Sequence, residues 1–141
     1  MDMKVSSPQN INQNKINSDF FKIYHQNIRS LRRKTQELLS HVYPDLPHVI
    51  YLMGHHLNIL EKNYINIESY TIGAEFCRVY YERGGVIIYI HNSLKYRNID
   101  LGEYCEEKYI EISVVKLNIK HLSMCIITIY RDPSGNFTYF L

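Results

Sequence analysis

Apolar residues along this chain gather in short blocks separated by polar or turn-forming residues. The block at residues 20–28, FFKIYHQNI, mixes aromatic and β-branched side chains and predicts a strand. Apolar residues then recur at Leu31, Leu38, Leu39 and Val42, spacings that share one helical face, with Ser30 placed as the N-cap. Pro44 lacks a backbone donor and clashes with the preceding turn, so the helix is expected to end before it. A second strand is predicted over residues 48–53. The strand–helix–strand order makes the two strands parallel.

Three later blocks, GGVIIYI (84–90), KYIEISVVKL (108–117) and LSMCIITIY (122–130), also predict strands. The last two, joined across residues 118–121, predict an antiparallel hairpin. In the final block Leu122, Met124 and Ile126 share one face and Cys125, Ile127 and Ile129 the other. Two apolar faces predict a strand covered on both sides. GGVIIYI has the same character, yet the pattern offers one long helix to cover a sheet. One apolar face is therefore expected to lack a partner within the chain, which favours self-association or aggregation.

The first nineteen residues, MDMKVSSPQNINQNKINSD, are polar and predict a disordered tail; residues 20–141 hold the folded part, of α/β class. Hydrophobic residues make up 45% and charged residues 21%, which excludes a disordered chain as a whole. The formal net charge of +2 gives no global pull toward nucleic acid, so a basic surface has to be local. Three cysteines with no CxxC spacing exclude a disulfide framework and a zinc ribbon, and predict reduced thiols, Cys125 among them as core packing. No run of about 18 apolar residues occurs and no apolar leader opens the chain, so the expectation is a soluble, intracellular protein without a membrane partner.

Four groups of residues suggest chemistry. His55 and His56 are adjacent, but neighbouring side chains diverge in azimuth and rarely chelate one ion, so exposed loop histidines are expected rather than a zinc site. Asn27 sits where a parallel strand delivers side chains to the carboxyl edge of a sheet, the usual place for ligands; alternatively it bonds the turn backbone. Arg29, Arg32, Arg33 and Lys34 crowd the expected helix start, either solvated or facing an anion such as a nucleic-acid phosphate. Tyr130 and Arg131 end an apolar strand, a pairing that suits an oxyanion and is equally ordinary for a strand leaving the core.

The segments YHQNIRSLRRKTQEL, PHVIYLMGHHL, GGVIIYIHNSL and IITIYRDPSGNF, in that order across residues 21–141, resemble the endonuclease domain of non-LTR retrotransposons, within the endonuclease/exonuclease/phosphatase superfamily. The resemblance implies a four-layer α/β/β/α sandwich that nicks DNA with a magnesium-bound water, the ion held by an Asn and a Glu from the first two strands. The family Asn falls on Asn27, and the Tyr that contacts the scissile phosphate falls on Tyr130, with Arg131 beside it. The Glu position falls on Gly54, so magnesium is expected to bind weakly or not at all. Asp132 follows where the family has a small residue or Pro, and it is not the missing ligand. The chain stops at Leu141, before the Asp-x-Asn motif and the terminal Asp-His pair that activate the water in that family. The expectation is a truncated first half of the sandwich, supplying mostly its first sheet, and an inactive remnant of a DNA endonuclease. The alternative is a non-catalytic nucleic-acid-binding or protein-interaction module.

Overall fold

The computed structural model describes residue 16 and residues 19–134, and shows a mixed α/β architecture dominated by strands. The predicted unit is present as β1 (Ile23–Asn27), α1 (Thr35–Val42) and β2 (Val49–Met53). β1 and β2 are parallel, with Ile23 opposite Val49 and Asn27 opposite Met53. β3 (Tyr70–Phe76) and β4 (Val86–His91) complete a four-stranded sheet of order β1-β2-β4-β3, in which β4 is antiparallel to both neighbours. A second, antiparallel sheet is built from β5 (Lys95–Ile99), β6 (Glu111–Ile119) and β7 (Leu122–Tyr130), in that order.

Two apolar layers hold these elements. Leu38 and Val42 of α1 pack with Ile50, Leu52, Ile87 and Tyr89 on one face of the first sheet. On its other face Val49, Ala74, Ile88 and Ile90 meet Val115 and Leu117 of the second sheet. β4 is buried at all its positions and sends alternate side chains to the two layers, as its two-sided apolar pattern predicts. Each fully buried Ile, Leu or Val here contributes roughly 1.5–3 kcal/mol.

β3 was not predicted, because a bulge between Ile72 and Ala74 breaks its alternation at Gly73. A Cβ at Gly73 would stand 2.6 Å from Cγ1 of Ile90 and 3.1 Å from Cγ2 of Val115. The glycine lets the two sheets approach. β5, a polar and largely exposed edge strand, carried too few apolar residues to be recognised.

Several expectations need correction. Ser30 does not cap α1: the helix starts at Thr35 after Lys34, and Ser30 lies in a loop at φ 83°. Leu31 is fully buried against Leu38 and Val42, but from that loop rather than from the helix. The second sheet is present with three strands, so these residues supply more than the first sheet. β7 is covered on one side only: Met124 and Ile126 pack between the sheets, while Ile127 and Ile129 are each 59% exposed. Cys125 shares that outer face and is exposed, not core. The hairpin forms with Ile119 opposite Leu122, a tighter two-residue turn with Lys120 at φ 54°. The expected tail at 1–19 falls outside the described residues apart from positions 16 and 19. Among the described residues, no helix is long and apolar enough to cross a membrane.

Candidate functional site at the strand ends

The carboxyl ends of β1 and β2 lie side by side, and the chain beyond each stays paired. Ile28 N donates to Met53 O at 2.9 Å, Ser30 N to Gly54 O at 2.8 Å and Leu31 N to His55 O at 2.9 Å. Gly54 has φ 65°, a left-handed conformation that glycine adopts without penalty. A Cβ at Gly54 would stand 2.9 Å from Oδ1 of Asn27 and 3.8 Å from Nε2 of His56. The fold therefore points position 54 at the Asn27 side chain, and the sequence puts no side chain there.

The two histidines diverge. His55 is fully buried, which corrects the expectation of two exposed loop histidines. Its Nδ1 accepts a hydrogen bond from Leu57 N at 2.9 Å, so Nε2 carries the proton and donates to Phe76 O at 2.9 Å. Burial, the largest cause, lowers its pKa to about 4, against an opposing contribution from the Phe76 carbonyl. The ring is a neutral brace between β2 and the end of β3, with both nitrogens occupied. His56, at φ 60°, is half-buried on the other side. Burial, then the charges of Arg83, Arg32, Arg78 and Lys34, hold its pKa below the ordinary value. Among the described residues no three His, Cys, Asp or Glu side chains gather as a metal-binding group.

The loop before β4 is anchored by a buried ion pair that no sequence motif announced. Arg78 Nε donates to Glu111 Oε1, with 3% and 0% side-chain exposure. Glu111 also accepts from Gly85 N at 2.9 Å and from Lys108 N at 3.3 Å. Arg78 reaches Asp132 Oδ2 through Nη2 at 3.4 Å, and its guanidinium carbon lies 5.9 Å from the centroid of the Tyr130 ring. Gly84 and Gly85 make this possible. A Cβ at Gly84 would lie 2.1 Å from Cζ of Arg78, and one at Gly85 2.4 Å from Nε2 of His55. The double glycine was the one sequence signal of close approach at this position.

Tyr130 faces Glu111 in the β6–β7 register, so it joins the second sheet to this cluster, while Asn27 and Gly54 belong to the first. The link between the two runs through Gly85, which accepts from Gly54 N at 2.8 Å and donates to Glu111. Burial and then the Asp132 carboxylate raise the Tyr130 pKa, so the phenol stays protonated at neutral pH. Asp132 is held below the usual carboxylate range, first by the Ser134 hydroxyl and also by Arg78. Its carboxylate is thus engaged by Ser134 and Arg78. Arg131 follows half-buried.

Of the predicted basic group, Arg29, Arg32 and Arg33 are exposed and precede α1 rather than occupying its first turn. Arg29 and Arg33 have φ 49° and 60°. Lys34 is not simply solvated: its Nζ donates to Ile28 O at 2.8 Å and Arg29 O at 3.1 Å. Arg32 makes a two-point pair with Glu61, at 3.1 and 2.5 Å. Beside His56 opens a cleft of about 480 Å³ lined by Arg32, Arg78, Tyr80, Tyr81 and Glu82 among others. Across the same loop a second cleft of about 510 Å³ carries Arg83 and Lys108, the latter 3.9 Å above the Tyr81 ring.

Comparison with known proteins gives no match to a family model and none to a curated protein.

Proposed function

We propose that this chain is a non-hydrolytic relative of the retrotransposon-type, magnesium-dependent DNA endonucleases, built on one side of an α/β/β/α sandwich and without a working metal site. One observation carries the reading: Asn27 and position 54 face each other at the ends of two parallel strands, 2.9 Å from Oδ1 to a Cβ built on Gly54. These are the two positions that the resemblance assigns to the metal ligands.

The donors there do not fit magnesium. That ion takes hard oxygen ligands and is usually anchored by one or two carboxylates. Position 54 offers no oxygen beyond its backbone carbonyl, which already accepts from Ser30 N. Asn27 supplies a neutral amide, and the charges acting on neighbouring His56 are those of Arg32, Lys34, Arg78 and Arg83. Glu111 and Asp132 are turned to Arg78. Tyr130 and Arg131 would serve this site as contacts to a nucleic-acid phosphate and not as metal ligands.

The test is nicking of supercoiled plasmid in magnesium by the purified chain, compared with an Asn27→Ala, Tyr130→Phe variant. Equal, background rates are expected. Nicking that depends on Asn27 would refute the reading.

A second reading, a nucleic-acid-binding module, is favoured by the exposed Arg29, Arg32 and Arg33 on the loop next to this site. It predicts binding to DNA that weakens steeply with salt and on replacing Arg32 and Arg33 by Ala.

A further inference from the structure

We infer that β7 is a dimerisation edge, along which a second copy of this chain adds its own β7, antiparallel, across a twofold axis. The inference stands apart from the strand-end site and rests on the second sheet.

Main-chain geometry shows which groups β7 leaves open. Cys105 Sγ lies against both Ile112 N, at 3.3 Å, and Ile112 O, at 3.5 Å, on the side of β6 away from β7. The pair Ile112–Ile129 is therefore one of the wide, non-bonded pairs of the β6–β7 ladder. Alternation then turns the N–H and C=O groups of Ser123, Cys125, Ile127 and Ile129 to the far edge of β7. Among the described residues, no strand pairs with that edge. A row of open main-chain donors and acceptors takes another β-strand as its occupant.

The other sheet edges carry the devices that prevent such pairing. β1 is five residues long and polar at His25, Gln26 and Asn27. β3 has the bulge at Gly73, and its Ile72 and Gly73 carbonyls already accept from Tyr96 Oη and Asn98 Nδ2, each at 3.1 Å. β5 exposes Lys95 and Arg97. β7 has none of these: its nine residues, LSMCIITIY, hold no charge, no proline and no break in register against β6. Ile127 and Ile129 stay 59% exposed, and Leu122 58%.

A second copy fits this strand along its whole length. With Ile126 opposite its own counterpart, every residue of β7 is paired: the open groups of Cys125 meet those of the partner's Ile127, and those of Ser123 meet the partner's Ile129. On the outer face Ile127 then covers the partner's Cys125, and on the inner face Leu122 lies against the partner's Tyr130. Charge agrees with this register. Within one copy Cys125 continues the cross-strand row of Arg97 and Lys116, and Ile127 continues the row of Ile99 and Val114. The twofold sets the basic row of each copy against the apolar row of the other, so like charges do not meet across the axis. It also uses the same edge of both copies, and the opposite edge of the sheet is the charged β5, so assembly closes at a dimer.

Sedimentation equilibrium and amide hydrogen exchange of the reduced full chain, over a range of concentrations, test this. A monomer–dimer equilibrium is expected. Exchange at Ser123, Cys125, Ile127 and Ile129 should slow about tenfold once most chains are dimeric, with little change at Met124, Ile126 and Thr128, whose N–H groups already bond β6. A short bismaleimide should join Cys125 to the partner's Cys125. Ile127→Pro removes an outward donor without touching the β6 ladder, and Ile127→Lys puts a charge on the edge. Each should keep the circular dichroism spectrum and weaken dimerisation at least about tenfold, and either serves if the other fails to fold. A chain that stays monomeric at millimolar concentration overturns the proposal. So does a dimer in which the four amides exchange as fast as in the monomer, because the contact then lies on a sheet face, and open-ended growth overturns the twofold.

Discussion

Replacing Glu111 by Gln removes one charge and almost no volume from the most buried polar cluster described in the molecule. Glu111 Oε1 takes the Arg78 guanidinium and Lys108 N, and Oε2 takes Gly85 N, so the carboxylate receives three donors. A Gln side chain must turn its NH₂ toward at least one of these donors. With the amide oxygen left on Arg78 and Lys108, the NH₂ opposes Gly85 N, and the only carboxylate left to the buried Arg78 is Asp132 at 3.4 Å, whose side chain is 20% exposed. Breaking a buried pair by removing one partner costs about 3–5 kcal/mol, a large share of the 5–15 kcal/mol that stabilises a typical domain. Thermal unfolding followed by circular dichroism should show a midpoint lower by on the order of 10 °C or more. The paired change Arg78→Leu with Glu111→Leu removes both buried charges, which are costly to desolvate, and should recover part of that loss, the remainder being the Gly85 and Lys108 N–H groups left without their acceptor. A Glu111→Gln loss under about 1 kcal/mol would refute the reasoning, since Arg78 would then be satisfied without Glu111.

Two further outcomes are expected. Gly54→Glu should cost about 1–2 kcal/mol, because position 54 is left-handed and its Cβ meets Asn27, and it should not restore plasmid nicking; urea unfolding and the nicking assay check the two parts. Stability should also fall on acidification: His55 has a folded-state pKa of about 4 against an unfolded value near 6.5, so its contribution is complete above pH 6.5 and is lost between pH 6.5 and 4. His48 and His56, whose pKa values are also lowered, add in the same direction. Unfolding free energy measured across this range should slope downward toward acid by up to about 3 kcal/mol, and a His55→Gln variant should flatten the slope. An unchanged slope in that variant would show that His55 is not the titrating group.

The parts of this molecule legible in its sequence are those written in local pattern. The β1–α1–β2 unit follows from two short β-branched runs around a helical face that stops before Pro44, and a crossover through a helix leaves parallel strands little alternative. β4 and β7 were visible as uninterrupted apolar runs between turns, and parallel topology alone nominated the end of β1, hence Asn27. Gly54 entered as a departure from a family pattern. Pattern could not say that its left-handed backbone aims a Cβ at Asn27.

Only the tertiary structure decided how distant residues meet. Arg78 and Glu111 are 33 positions apart and look like ordinary surface charges until β6 brings one beneath the other. His55 and His56 are indistinguishable by type, yet one is sealed between β2 and β3 while the other lines the open cleft beside Arg32, Tyr80 and Glu82. Leu31 fits a helical spacing but reaches the core from a loop, because the segment 28–31 follows the backbone beyond β2 instead of starting a helix. The outer face of β7 is as apolar as the inner one, and which of the two is buried depends on the side from which the first sheet packs. Hydrophobic alternation specifies that a strand has two faces. What covers each of them is a property of the whole chain.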